Sequence, residues 1–247
     1  MNKLTQKMIS IVPHDLKRDM YAFLKPNSFS FYQNLRTSDR PSHTLKPFDK
    51  TKSIFVHIPK AAGISLSTSL YGKVTGSHLP ISKYQLIYSK AEFESYFKFT
   101  LTRNPWDRVF SAFNFLKKGG RNAEDADWAQ KYLSEFTLFE DFLDSWVNEK
   151  TIWSYIHFYP QHYFILVPGK SKSPLDFIGK VETIEQDYSF IASKIEGAGS
   201  LEHLNASVEG KSKDYRNIYL PRHIDLISKI YKRDIDLFSY TFEGIKK

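Results

Sequence analysis

The chain contains no cysteine in its 247 residues. Disulfides and thiolate-bound metals are thereby excluded as sources of stability, and the absence fits a reducing compartment. Nor is there a run of about 18 apolar residues, so no membrane-spanning helix is expected. The opening stretch, MNKLTQKMISIVPHDLKRDM, has only a short apolar patch and no small-residue cleavage site. No signal peptide is expected there, and the expected location is cytoplasmic. Internal repeats are missing, and no His/Asp/Glu cluster has metal-ligand spacing, so no metal is expected. The phosphate-loop pattern G-x-x-x-x-G-K-[ST] is missing too, and no second-strand acid is placed to hold Mg²⁺.

What is present is unevenly distributed. The formal net charge is +8, and residues 1–52 hold ten Lys or Arg against four Asp, which leaves the remainder nearly balanced. Such an arm attracts anionic partners, or it is simply a solvated surface. With 20 Phe and 15 Tyr, part of the core must be aromatic. At this length one main domain is expected, with residues 1–50 as a basic N-terminal extension and 51–247 as the domain.

Within the extension, a short helix is expected near 14–24, followed by an irregular segment rich in Ser, Pro and Asn. SIFVHI (53–58) is almost wholly apolar and suits a buried parallel strand. AGISLSTSLYG follows as a helix closed by Gly72. YFKFTLT (96–102) is a second strand. After it Asn104 is a helix N-cap, Pro105 occupies N1, and Asp107 completes something close to a capping box. Val109, Ala112, Phe113 and Leu116 then form a core-facing stripe. AEDADWAQKYLSEF and LFEDFLDSWV read as helices, and DFIGKVE (176–182) as a third strand. Thr183 with Gln186 is expected to cap the next helix, and a last helix runs from Pro221 to about Leu237. Strands alternating with helices predict an α/β fold with a mainly parallel sheet.

The turn after the first strand, PKAAGIS, puts its lysine before the small residues. A strand–turn–helix unit aims backbone N–H groups and a helix N-terminus at one spot, which suits phosphate. Lys60 enters from the strand end. Arg103 ends the second strand, and Ser111 follows on the adjoining helix; together they suit a second phosphate, with a forked donor set and a short hydroxyl bond.

FVHIPKAAGISL together with FTLTRNPWDRVFSAF resembles the two cofactor signatures of sulfotransferases that use 3′-phosphoadenosine-5′-phosphosulfate (PAPS). The resemblance is to the carbohydrate branch, which includes heparan-type uronosyl sulfotransferases and bacterial relatives. YPQHYFI, FIGKVETIEQDYSFI, HLNASVEGKSKDY and YKRDIDLFSYTF extend it over roughly residues 52–243. It implies a P-loop-like parallel sheet flanked by helices, with PAPS as co-substrate and a carbohydrate or glycoconjugate acceptor. It further implies that Lys60, Ala61, Ala62, Gly63, Ile64 and Ser65 embrace the 5′-phosphosulfate, while Arg103 and Ser111 hold the 3′-phosphate. Ala61 and Ile64 stand where relatives usually carry hydroxyl residues, so backbone donors, Ser65 and Lys60 must serve instead.

In uronic-acid-specific relatives a Gly-His segment between the signatures supplies the base. Here Gly76-Ser77-His78 lies at that place, so His78 is the implied base, with Glu92 and Glu94 as alternatives. Asn205, Ser207, Lys213 and Tyr215 are expected to fold over the nucleotide, or else to form an ordinary surface loop. His57 reads as a core histidine. Arg108 reads as structural, pairing with Asp107 or a nearby acid, with support of the nucleotide as the alternative. The four tryptophans read mostly as core, with stacking on sugar or adenine as the other option. Two other functions stay open. One is a nucleotide-phosphate kinase or NTPase. The other is a non-catalytic binder of acidic glycan or nucleic acid using the basic arm, although no nucleic-acid partner is expected. Peripheral membrane contact through the arm is also open.

Overall fold

The computed structural model describes residues 12–39, 44–202 and 214–246. The chain divides into two compact units. One takes the described residues up to Ile58, together with 62–102 and 161–202; the other takes Pro59–Ala61, 103–160 and 214–246.

The first unit is α/β. Strands β1 (Ser53–Phe55), β2 (Phe97–Thr102) and β3 (Phe177–Lys180) form a parallel sheet in the order β1-β2-β3. Phe55 pairs with Phe99, and Phe99 with Phe177. Phe55, Phe99 and Phe97 stack along the sheet with centroids 5.4 and 5.3 Å apart. The polar residues of β2 are satisfied in place. Thr100 Oγ1 donates to the Val56 carbonyl (2.6 Å) and Thr102 Oγ1 to the Gly179 carbonyl (3.1 Å). Buried Lys98 reaches Asp176 at 2.9 Å. A Cβ at Gly179 would fall 2.7 Å from the Leu101 side chain, which would have to shift to admit it.

Helices surround this sheet. They are α1 (His14–Leu24), α2 (Pro26–Thr37), α3 (Lys46–Thr51), α4 (Gly63–Tyr71), α5 (Ile81–Ile87), α6 (Lys90–Ser95), α10 (Gln161–Ile165) and α11 (Ile184–Ala192). The segment expected to be irregular is therefore largely helical. Helix α1 packs on α2 and α5, and α3 packs on β1, with Leu35, Leu45 and Phe48 buried. Pro26 and Pro47 fall within the first turns of α2 and α3, where their missing N–H costs nothing. Composition suggested a loop, whereas spacing and packing made helices. Gly72 closes α4 at φ 70, as the sequence indicated. Thr183 does not cap α11; its hydroxyl donates to Asp187, which also accepts the Lys180 amide.

The second unit is mostly helical: α7 (Pro105–Lys117), α8 (Ala123–Leu133), α9 (Phe139–Ser145), α12 (Pro221–Ile230) and α13 (Lys232–Phe238). A small hairpin of β4 (Tyr240–Thr241) and β5 (Gly244–Ile245) ends it. Asn104 caps α7 by accepting from the Trp106 amide, and Val109, Ala112, Phe113 and Leu116 are buried as expected. Asp107 does not complete a capping box; it accepts from Arg103 instead. The single C-terminal helix is two helices, broken at Tyr231, whose backbone leaves the helical region (φ −101, ψ 19). The Tyr231 hydroxyl donates to the Phe158 carbonyl at 2.7 Å. Trp106, Trp128 and Trp146 are core residues in this unit, and Trp153 is exposed. Arg108 is fully buried, donating to the carbonyls of His157 (3.1 Å) and Tyr159 (2.7 Å) rather than pairing with Asp107. Among the described residues no helix is long and apolar enough to cross a membrane.

Glu92 caps α6 in a reciprocal box with Ser89 and bonds Arg36, which also grips Asp49. Burial pushes the Glu92 carboxyl up, but Arg36 and Ser89 outweigh it and bring the group down from 4.5 to about 2. A depressed acid contributes stability that is present above its unfolded value and lost as pH falls through the folded one. Glu92→Gln should therefore cost about 1–2 kcal/mol at neutral pH. It should also flatten the loss of melting temperature between pH 4.5 and 2. An unchanged acid slope would show that the bridge contributes nothing.

Candidate active site

The turn after β1 is built from unfavourable backbone. Lys60 (φ 67) and Ala62 (φ 56) are both left-handed without being glycine. Each costs about 1 kcal/mol, because Cβ crowds the following carbonyl oxygen. Left-handed residues within a turn are the kind of backbone from which anion-binding nests are made. Ala62 is the N-cap of α4 and supplies no side-chain cap bond.

Arg103 fixes the turn. Its Nη1 donates to the Lys60 carbonyl (3.2 Å), and Asp107 holds Nε at 2.7 Å. Asp107, Ser111 and Phe115 recur every four residues and share one face of α7. The Lys60 ammonium sits 3.7 Å from the centre of the Phe115 ring. Lys60 thus runs along this face, with its carbonyl at Arg103, its ammonium at Phe115 and Ser111 lying between them in the helical order. The structure therefore brings together Lys60, Arg103 and Ser111. No carboxylate lies within ion-pair distance of Lys60 among the described residues. Burial, then the Arg103 charge, lower its ammonium from 10.5 to about 8, with Asp125 opposing.

Behind Phe115 lies a buried polar cluster that sequence reasoning missed. His157 packs on Phe115 (5.1 Å between centroids) and its Nε2 lies 3.0 Å from Asp125. The Tyr155 hydroxyl also donates to Asp125, as does the Arg121 amide. Gly120 permits this, since a Cβ there would fall 2.1 Å from that of Asp125. Burial raises the Asp125 carboxyl, but the bonds from His157, Tyr155 and Arg121 hold it well below the usual carboxylate range. Burial lowers the His157 imidazole against the pull of Asp125. The recurrence of residues 107, 111 and 115 could have revealed Phe115. Asp125 and His157 are 32 positions apart with no local pattern linking them.

In the first unit, His57 and His78 meet edge to face at 4.4 Å. His57 is buried, as expected, and stacks on Phe55. Gly76, at φ 75, makes the bend before His78. The Nδ1 of His78 is 3.0 Å from the His57 carbonyl. A carbonyl only accepts, so Nδ1 carries the proton and Nε2 is the basic nitrogen. A Cβ on Gly63 would overlap the His57 ring at 2.0 Å, so the turn glycine and the histidine pair are one construction. Glu92 is committed to the cap and to Arg36, and Glu94 is exposed beside Lys90, so neither has a geometry comparable to that of His78. The Tyr215 hydroxyl donates to the Phe242 carbonyl at 2.5 Å. Asn205, Ser207 and Lys213 lie outside the described residues. Among the described residues no group of three or more metal-ligating side chains is assembled.

The model of the sulfotransferase family matches residues 43–241, and the chain belongs to that family. No curated protein and no solved structure matches it.

Two outcomes follow from this geometry. Gly63→Ala should displace the His57 ring and destabilise the protein by about 1–3 kcal/mol, read as a lower melting temperature; unchanged stability would mean that the ring relaxes freely. Labelling of Lys60 by an amine reagent, followed by peptide mass spectrometry, should rise with a midpoint near pH 8. Asp125→Asn should move that midpoint lower, since its charge opposes the shift, and a midpoint at the ordinary lysine value would refute the burial of this ammonium.

Proposed function

We propose that the protein transfers a sulfuryl group from PAPS to a hydroxyl of a carbohydrate acceptor. The observation that carries this reading is Lys60 joined to Arg103 and laid along the α7 face that holds Ser111. Two cations with a hydroxyl between them suit a nucleotide with phosphates at both ends. The residues fit the expected groups: Lys60, Ala61, Ala62, Gly63, Ile64 and Ser65 receive the 5′-phosphosulfate, and Arg103 and Ser111 the 3′-phosphate. Asp107 orients the Arg103 guanidinium for this task. Where Ala61 and Ile64 offer no hydroxyl, the left-handed backbone at Lys60 and Ala62 supplies amides.

His78 Nε2 takes the proton of the acceptor hydroxyl. The acceptor oxygen forms a bond to sulfur as the bond from sulfur to the phosphate oxygen breaks. The electron pair goes to that phosphate, where Lys60 and the turn amides meet the growing charge. The His57 carbonyl keeps His78 in the tautomer this requires. Asn205, Ser207, Lys213 and Tyr215 are further nucleotide-binding residues in this reading, as the resemblance implies. The basic arm makes peripheral contact with membrane or anionic acceptor. A kinase reading has no comparable support, since the chain lacks both the Walker-type loop and the acid for Mg²⁺.

3′,5′-Adenosine bisphosphate at a hundred times its dissociation constant should stabilise the protein against heat by about 2.7 kcal/mol, and at equal concentration by more than ADP does. Arg103→Ala should erase the preference. Equal shifts from ADP and the bisphosphate in the wild type would overturn the two-phosphate assignment. His78→Ala should lower turnover about 10²–10⁴-fold, remove the acidic limb of the pH–rate profile and leave bisphosphate binding nearly intact. Near-normal turnover in that variant would remove His78 as the base.

A further inference from the structure

The first unit begins with an apolar face that nothing in the described structure covers. On α1, Leu16, Met20, Phe23 and Leu24 fall at i, i+4, i+7 and i+8, a single stripe. All four are exposed, Phe23 by 85% and Leu24 by 63%, and Phe31 of α2 is exposed as well. The opposite side of α1 is the packed one: His14 Nε2 lies 2.9 Å from the Tyr88 carbonyl, and the helix rests on α2 and α5.

Its border is cationic. Lys17 follows Leu16; burial and the charge of another lysine, Lys170, lower its ammonium. Lys25 is exposed directly after Leu24. Lys83 of α5 sits over the Tyr21 and Tyr32 rings at 5.0 and 6.0 Å. Among the described residues none of Lys17, Lys25, Lys83 and Lys170 has a carboxylate at ion-pair distance, whereas Arg18 lies 3.9 Å from Asp19 and Asp15 accepts the Lys90 amide. Large apolar side chains on one helix face, rimmed by flexible unpaired lysines, are what an interfacial helix carries.

We propose that α1 and α2 form a membrane-docking face, on which Leu16, Met20, Phe23, Leu24 and Phe31 enter the headgroup–acyl boundary of an anionic bilayer while Lys17, Lys25 and Lys170 take lipid phosphates. A convex stripe suits a fluid surface, which moulds to it; a rigid protein partner needs a matching groove. The lipid phosphates relieve the repulsion between Lys17 and Lys170, for which no carboxylate among the described residues is at ion-pair distance. The docking does not depend on the sulfuryl-transfer reading. Where that reading holds, the enzyme meets its acceptors at the bilayer surface.

The test is co-sedimentation of the full chain with vesicles of phosphatidylcholine, alone or mixed with phosphatidylglycerol. The wild type should bind the mixed vesicles and not the neutral ones, with affinity falling as salt rises. The double variant Phe23→Ser, Leu24→Ser should keep the wild-type melting temperature and bind about tenfold more weakly or less. The pair Lys17→Gln, Lys170→Gln should lose the preference for phosphatidylglycerol. No binding to the mixed vesicles, equal binding to both kinds, or unchanged binding by the serine variant would overturn the proposal. So would a wild-type dimer that the serine substitutions separate, since the face would then belong to a second copy of the chain.

Discussion

The hydrogen bond from Arg103 to the Lys60 carbonyl holds a backbone conformation that lysine would not choose. With φ at 67, the chain around Lys60 gives up about 1 kcal/mol, and Ala62 gives up as much again. A charge-assisted bond to the carbonyl contributes enough to offset one of these penalties. What the strain achieves is direction. The lysine side chain leaves the turn along α7 instead of towards solvent, and its ammonium comes to rest on Phe115. One guanidinium thereby sets both the backbone of the turn and the position of the Lys60 ammonium.

The second constraint is electrostatic. An ammonium against an aromatic ring, with a guanidinium as its neighbour, is an unstable arrangement unless negative charge is close. Asp125 supplies negative charge that acts on Lys60. It is kept ionised by three donors that are not formal cations, the Tyr155 hydroxyl, His157 and the Arg121 amide. Because none of these neutralises it, its field remains to act on Lys60.

Much of this was legible in the sequence. The apolar run 53–58, the capped start at Asn104-Pro105 and the spacing of Val109, Ala112, Phe113 and Leu116 are local patterns, and local patterns survive folding. The paired positions of Lys60, Arg103 and Ser111 were legible because each sits at a strand end or in the helix that follows. Composition misled for residues 26–37, where Ser and Asn outweighed a buried Leu35 and a well-placed Pro26. It misled again at Tyr231, where an unbroken 3.6-residue pattern hides a break at a residue whose hydroxyl bonds Phe158, 73 residues away. Asp107 carried two compatible signals, cap and ion-pair partner, and only the position of Arg103 decides between them. Asp125 with His157, and His57 with His78, meet only after the chain has folded.

Strands β2 and β3 are neighbours in the sheet, yet residues 103–160 of the second unit are threaded between them in the chain. A ribosome delivers β1 and β2 early and β3 only after that whole excursion has emerged. During this interval the outer edge of β2, with its unpaired amides and carbonyls and its apolar FKFTLT run, is an open template for a stray strand. The buried Lys98 acts as a gatekeeper in this window. Until Asp176 arrives to neutralise it, a lone ammonium on the growing edge discourages an intruder from docking there.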